Sequence, residues 1–197
     1  MGFLIFLAVI IAVAVIVAIN AYNRLARLRN QYKNAFSQVD VQLQRRHDLV
    51  PSLLATVKSH LKQDPDTFEV VLKALSSAID SSRQAALAPA DPQGMHDLAR
   101  DQVTLSHALE RLFGLIESHP DLLADLDIGQ LMEEIRFTDN HIALACQAFN
   151  DAVDRYNSYR KGFPNSWVAN SFGFQRAETL AEPVPANPSI TRVSSIE

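Results

Sequence analysis

The sequence holds one cysteine, Cys146, only six glycines, and no charged side chain before Arg24. Each scarcity closes off a class of protein. A lone cysteine forms no internal disulfide and supplies no cysteine cluster for a metal, and none lies near the N-terminus to carry a lipid. Few glycines, with long periodic runs in place of short alternating ones, argue against a strand-rich fold. The net charge is −4, so no global positive field exists to hold a phosphate backbone, and no nucleic-acid partner is expected.

The usual motifs of chemistry are also missing. His47, His60, His96, His107, His119 and His141 show neither His-Glu-x-x-His nor Glu-x-x-His spacing, so no metal site is expected. Ser59-His60-Leu61-Lys62 fits a Ser-x-x-Lys pattern, but the Ser-Asp-Asn and Lys-Thr-Gly partners of that chemistry are not there. No glycine-rich phosphate loop or nucleophile elbow appears. The expectation is a protein without a cofactor and not an enzyme.

What is present begins with Gly2 to Ile19, an unbroken run without a charged residue and almost wholly apolar. As a helix it covers about 27 Å, enough to span a bilayer core. A cleaved signal would carry Lys or Arg ahead of the run and small residues behind it. Here the bases follow: Arg24, Arg27, Arg29 and Lys33 precede the first acid, Asp40, which sets the C-terminal side in the cytoplasm by the positive-inside rule. Asn20, Tyr22 and Asn23 mark the expected interface.

Beyond the run, Leu25, Leu28, Tyr32, Phe36, Val39, Leu43, Val50, Leu53, Val57 and Leu61 recur in steps of three and four with one break, at Arg46, a near-heptad coiled-coil-like seam that predicts one helix from the anchor to about Lys62. Pro51 should kink it without ending it, because the periodicity resumes in register. Further helices are expected over about 67–87, 95–118 and 127–160, separated by breakers at Ala88-Pro89-Ala90-Asp91-Pro92-Gln93-Gly94 and His119-Pro120-Asp121. The fold class is therefore all-α: an N-terminal transmembrane helix (1–21) continuing into an elongated antiparallel four-helix bundle (22–161). In that topology the chain after Arg160 returns to the bilayer. Residues 162–176 hold the only tryptophan and Phe163, Phe172 and Phe174, a composition suited to the membrane interface, to the bundle base or to a neighbouring subunit. With Pro183, Pro185 and Pro188 and no periodicity, residues 177–197 read as a disordered tail.

One charged set stands out. Asp40, Arg45, Arg46 and Asp48 flank the kink, on the helix expected to pack against the one bearing Glu133, Glu134, Arg136 and Asp139. Arg46 falls on the apolar seam itself, where a charge is costly unless paired, so it is expected to face a carboxylate in the bundle or across subunits.

The stretches Gln38-Val39-Asp40, Arg45-Arg46-His47-Asp48-Leu49-Val50-Pro51, Thr138-Asp139-Asn140-His141-Ile142, Phe149-Asn150, Tyr156-Asn157, Phe163-Pro164 and Phe172-Gly173-Phe174 resemble the LemA family over roughly residues 20 to 174. The chain departs at His119, where that family more often has Tyr, and at His141 and Cys146, where it more often has Arg. The resemblance implies a bacterial inner-membrane protein with an N-terminal anchor and an antiparallel helical bundle, and no established catalytic activity. The functional expectation is a membrane-anchored scaffold whose partners are the lipid bilayer and further copies of itself. An adaptor presenting its bundle to another membrane protein, such as a protease or sensor, is the alternative.

Overall fold

The three- and four-residue apolar spacing folds as helix throughout the computed structural model, which describes residues 1–60 and 65–181, with no strand among the described residues. Helix α1 runs over Gly2–His60, about 90 Å at 1.5 Å per residue. The end expected near Lys62 lies outside the described residues. The first part of α1 packs on nothing: its apolar window has a mean hydropathy of 3.3 and no buried residue, and it is the one helix among those described that is long and apolar enough to cross a membrane. From Ala18 and Ala21 onward the same helix enters a core. It passes through Pro51 without ending, as the in-register periodicity requires.

Helices α2 (Pro65–Leu87) and α3 (Pro92–Glu117) follow, then a short α4 (Pro120–Leu123), then α5 (Leu126–Lys161) and α6 (Asn165–Ser171). Local chemistry sets the boundaries. Asp91 caps α3 by accepting from the Gly94 N–H at 3.0 Å, with Pro92 in the first turn where its missing N–H costs nothing. Asp125 caps α5 by accepting from the N–H groups of Asp127 and Ile128, and Arg160 and Lys161 sit in its last turn, favourable to the helix dipole. Ala90, between α2 and α3, is held at φ 70, a left-handed conformation unusual for a residue with a side chain.

The long helices bury their seams in two apolar cores. One joins Leu25, Tyr32, Phe36 and Leu43 of α1 to Ala85, Leu98, Ile142, Phe149 and Tyr156. The other joins Val50, Leu53 and Val57 to Val71, Leu75, Leu105, Leu112, Ile128 and Ile135. Residue order shows that α1 and α3 cross from the first core to the second, whereas α2 and α5 cross back. Edge-to-face pairs Tyr32–Tyr156 (5.2 Å) and Phe36–Phe149 (5.4 Å) fix the register of α1 on α5.

Three elements differ from the sequence expectation, the first being α4 (Pro120–Leu123), which forms where only a breaker is expected. Residues 165–171 form the short helix α6, seated against α1 and α5; about two turns carry too little periodicity to read. Residues 177–181, assigned to a disordered tail, instead lie in an extended strap with Ala177 and Leu180 buried. The rest of that tail, 182–197, lies outside the described residues.

Candidate functional site

Between the two cores lies a polar layer to which every long helix contributes. Arg46 and His47 come from α1, Ser81 and Ser82 from α2, Gln102 and Ser106 from α3, and Thr138 from α5, all buried. Arg46 is 1% exposed and is the largest fully buried side chain among the described residues. Its guanidinium donates to Ser106 Oγ at 2.8 Å and reaches Gln102 Oε1 at 3.5 Å, and its Nε lies 3.2 Å from Asp139 Oδ1. Burial pushes Arg46 down from its ordinary pKa and Asp139 up from the usual carboxylate value, each against the other's charge. The carboxylate expected opposite Arg46 is thus supplied by the same chain.

Gln102 links the layer together. Its Nε2 lies 3.1 Å from His47 Nε2 and 3.3 Å from Ser82 Oγ. Burial, together with the Arg46 charge, lowers the His47 pKa to about 4, against the opposing pull of Asp48. His47 is therefore neutral at pH 7 and accepts from the Gln102 amide. An open cleft of about 470 Å³ between α1 and α2 reaches this histidine and is bordered by Asp40, Gln44, Asp48, Ser82 and Arg83.

The charged set read from the sequence is therefore divided among three places. Arg45 pairs with Glu134 at 2.8 Å across the exposed α1–α5 surface, a geometry worth under about 1 kcal/mol. Arg46 enters the core. Asp40 and Asp48 line the α1–α2 cleft, where burial raises Asp40 above the usual carboxylate range while Gln44 donates to it at 3.2 Å. From sequence alone His47 reads only as a candidate metal ligand and Gln102 only as a seam residue of the third helix, while Ser106 does not stand out. The available signal was a second polar residue, Gln102, on the seam of the third helix.

A second locus sits where the apolar run of α1 ends. Tyr22 meets Phe172 and Phe174 edge-to-face at 5.2 and 5.4 Å, and Arg24 lies over the Tyr159 ring at 5.9 Å. The helix α6 is thereby held beside the exit of the apolar run. Phe163, Trp167 and Phe172 remain 92%, 71% and 61% exposed, whereas Phe174, grouped with them by composition, is only 6% exposed. The physical reason is the strap, which turns Phe174 inward at Gly173. Arg27 and Arg29 are exposed on α1, and Arg29 borders a second cleft with Lys33 and Arg176. Among the described residues no three His, Cys, Asp or Glu side chains are grouped to hold a metal ion.

These features define a class: an all-helical protein with an N-terminal helix able by length and composition to cross a membrane, and a buried charge layer at mid-height. The chain belongs to the LemA family, whose model matches residues 35–191. That match includes the Arg46–Asp139 layer, α6 and the strap. No curated protein matches the chain.

Proposed function

We propose that this protein is a single-pass membrane scaffold. Residues 1–21 cross a bacterial inner membrane, residues 22–161 stand in the cytoplasm as an elongated antiparallel four-helix bundle, and copies associate laterally to organise or shape the membrane. The role is structural, without catalysis or a cofactor.

The observation that carries this reading is continuity. One helix holds both the unburied apolar run and the seam of the bundle, so bundle and bilayer are mechanically coupled. The bases Arg24, Arg27, Arg29 and Lys33 support a cytoplasmic bundle. Phe163, Trp167 and Phe172, exposed beside Tyr22, suit lipid headgroups or a neighbouring copy. Phe137 and Leu144, two turns apart on α5 and both exposed, suit lateral contact. Light scattering of the detergent-solubilised chain should give a mass of two or more copies across concentrations. A monomer throughout would remove self-association from the account.

A second reading, an adaptor for another membrane protein, is favoured by one feature. Phe137 lies in a shallow hollow bordered by Glu133 and by Glu134, which Arg45 already neutralises, and the Glu133 carboxylates of two copies repel when these hollows meet face to face. Crosslinking in cells should then recover a stoichiometric foreign partner, and recovery of self-adducts alone would count against it.

A further inference from the structure

Residues 174–181 run antiparallel to α5, between that helix and the start of α3, and are held by main-chain hydrogen bonds and by the buried side chains of Phe174, Ala177 and Leu180. Asn157 donates from Nδ2 to Ala177 O at 2.8 Å and accepts from Ala177 N–H at 3.1 Å. Asn150 does the same with Leu180, both at 2.8 Å. Arg160 Nε donates to Phe174 O and Tyr156 Oη to Gln175 O, each at 2.7 Å, and Glu178 N–H donates to Ala90 O at 2.9 Å. The left-handed Ala90 thus presents a carbonyl to the strap.

The spacing of this site is a measuring device. Asn150 and Asn157 stand two helical turns apart, about 10.5 Å. The strap residues they grip are three apart, about 10 Å of extended chain. Phe174, Ala177 and Leu180, at the same period of three, are the ones buried, the repeat of a polyproline-like strand. Such a groove reads peptide N–H and C=O groups and one apolar side chain in three. A primary amide supplies both the donor and the acceptor that a peptide unit needs.

Nothing in these contacts depends on the strap belonging to the same chain. Gly173, at φ 71 and with no atom within 4 Å of where a Cβ would stand, gives a pivot between α6 and the strap. Copies anchored in one membrane would present their straps at the same height and at raised local concentration. We propose that the α5–α3 groove is a main-chain-reading peptide site, and that neighbouring copies fill it reciprocally with each other's residues 174–181, linking bundles laterally. This inference rests on the self-association proposed above.

Two full-length variants test it. Asn150→Asp with Asn157→Asp keeps the strap but removes the donors and sets carboxylates against strap carbonyls. Ala177→Asp with Leu180→Asp keeps the groove but spoils the strap. Carrying different tags and co-expressed, the two should co-purify after solubilisation, while each alone yields self-pairs at least about tenfold less often. If the wild type associates but the mixed pair recovers no more than either variant alone, strap exchange is wrong and self-association uses another surface. If the wild type is monomeric, both fall. Folding of the groove is checked separately with a fluorescent peptide of residues 172–181. It should bind the strap-spoiled variant saturably and lose at least about tenfold in affinity when the two asparagines are also replaced. Absence of binding would overturn the peptide site.

Discussion

Arg46 Nε and Asp139 Oδ1 lie 3.2 Å apart in the layer between the two apolar cores, yet neither Nε nor the second carboxylate oxygen has a hydrogen-bond partner among the described residues. The pair is therefore held by charge and by the donations of Arg46 to Ser106 and Gln102. Desolvating two ions costs several kcal/mol each, so such a pair does more to fix helix register than to raise stability.

The first prediction follows from that balance. Asp139→Ala strands a buried cation and should destabilise the chain by about 3–5 kcal/mol. Arg46→Met combined with Asp139→Leu removes both charges and should recover most of that loss. Urea unfolding of the full chain in detergent, followed by helical circular dichroism, compares the two. A double variant no more stable than Asp139→Ala would show that the stranded charge is not the cause.

The second concerns pH. The folded His47 pKa, about 4, lies below its ordinary 6.5, so the unfolded chain takes up a proton that the folded chain refuses. The His47 contribution is then fully present above pH 6.5 and is lost as pH falls towards 4, by about 2–3 kcal/mol. Asp139, raised by burial, acts in the opposite sense. The informative quantity is therefore the difference between wild type and His47→Gln, whose stability should decline less over this range. Parallel curves for the two proteins would contradict the buried neutral histidine.

The third tests Pro51. It is exposed and lies inside α1, where proline removes a helical hydrogen bond to the His47 carbonyl. Pro51→Ala should stabilise by about 1–2 kcal/mol after allowance for the freer unfolded chain, measured as a rise in Tm. A fall would mean that a bend at Pro51 is needed to seat His47 and Arg46.

The fourth uses Trp167, the only tryptophan, as its own probe. In proteoliposomes of the full chain its emission should be quenched by lipids brominated near the headgroup. Emission insensitive to those lipids would contradict placement of Trp167 at the membrane interface.

Much of the helical architecture was legible because periodicity is a property of single segments. Leu25 through Val57 repeat often enough to read as one helix, and Arg46 is conspicuous on that seam. The layer itself was not legible: Gln102 and His47 acquire meaning only when α3 and α1 stand at the same height. The strap was less legible still. Phe174, Ala177 and Leu180 are buried at a period that belongs to neither helix nor alternating strand, and nothing local distinguishes Asn150 and Asn157 from asparagines on a solvated face. Composition singled out residues 162–176 for their aromatics, but only the tertiary contacts separate Phe174, turned inward, from Phe163, Trp167 and Phe172.

The most direct test of the scaffold account is electron cryo-tomography of native membranes containing the full-length chain at its natural abundance. The account predicts rods standing off the cytoplasmic face in laterally connected groups. Isolated single bundles scattered over the membrane, or rods on the opposite face, would contradict it.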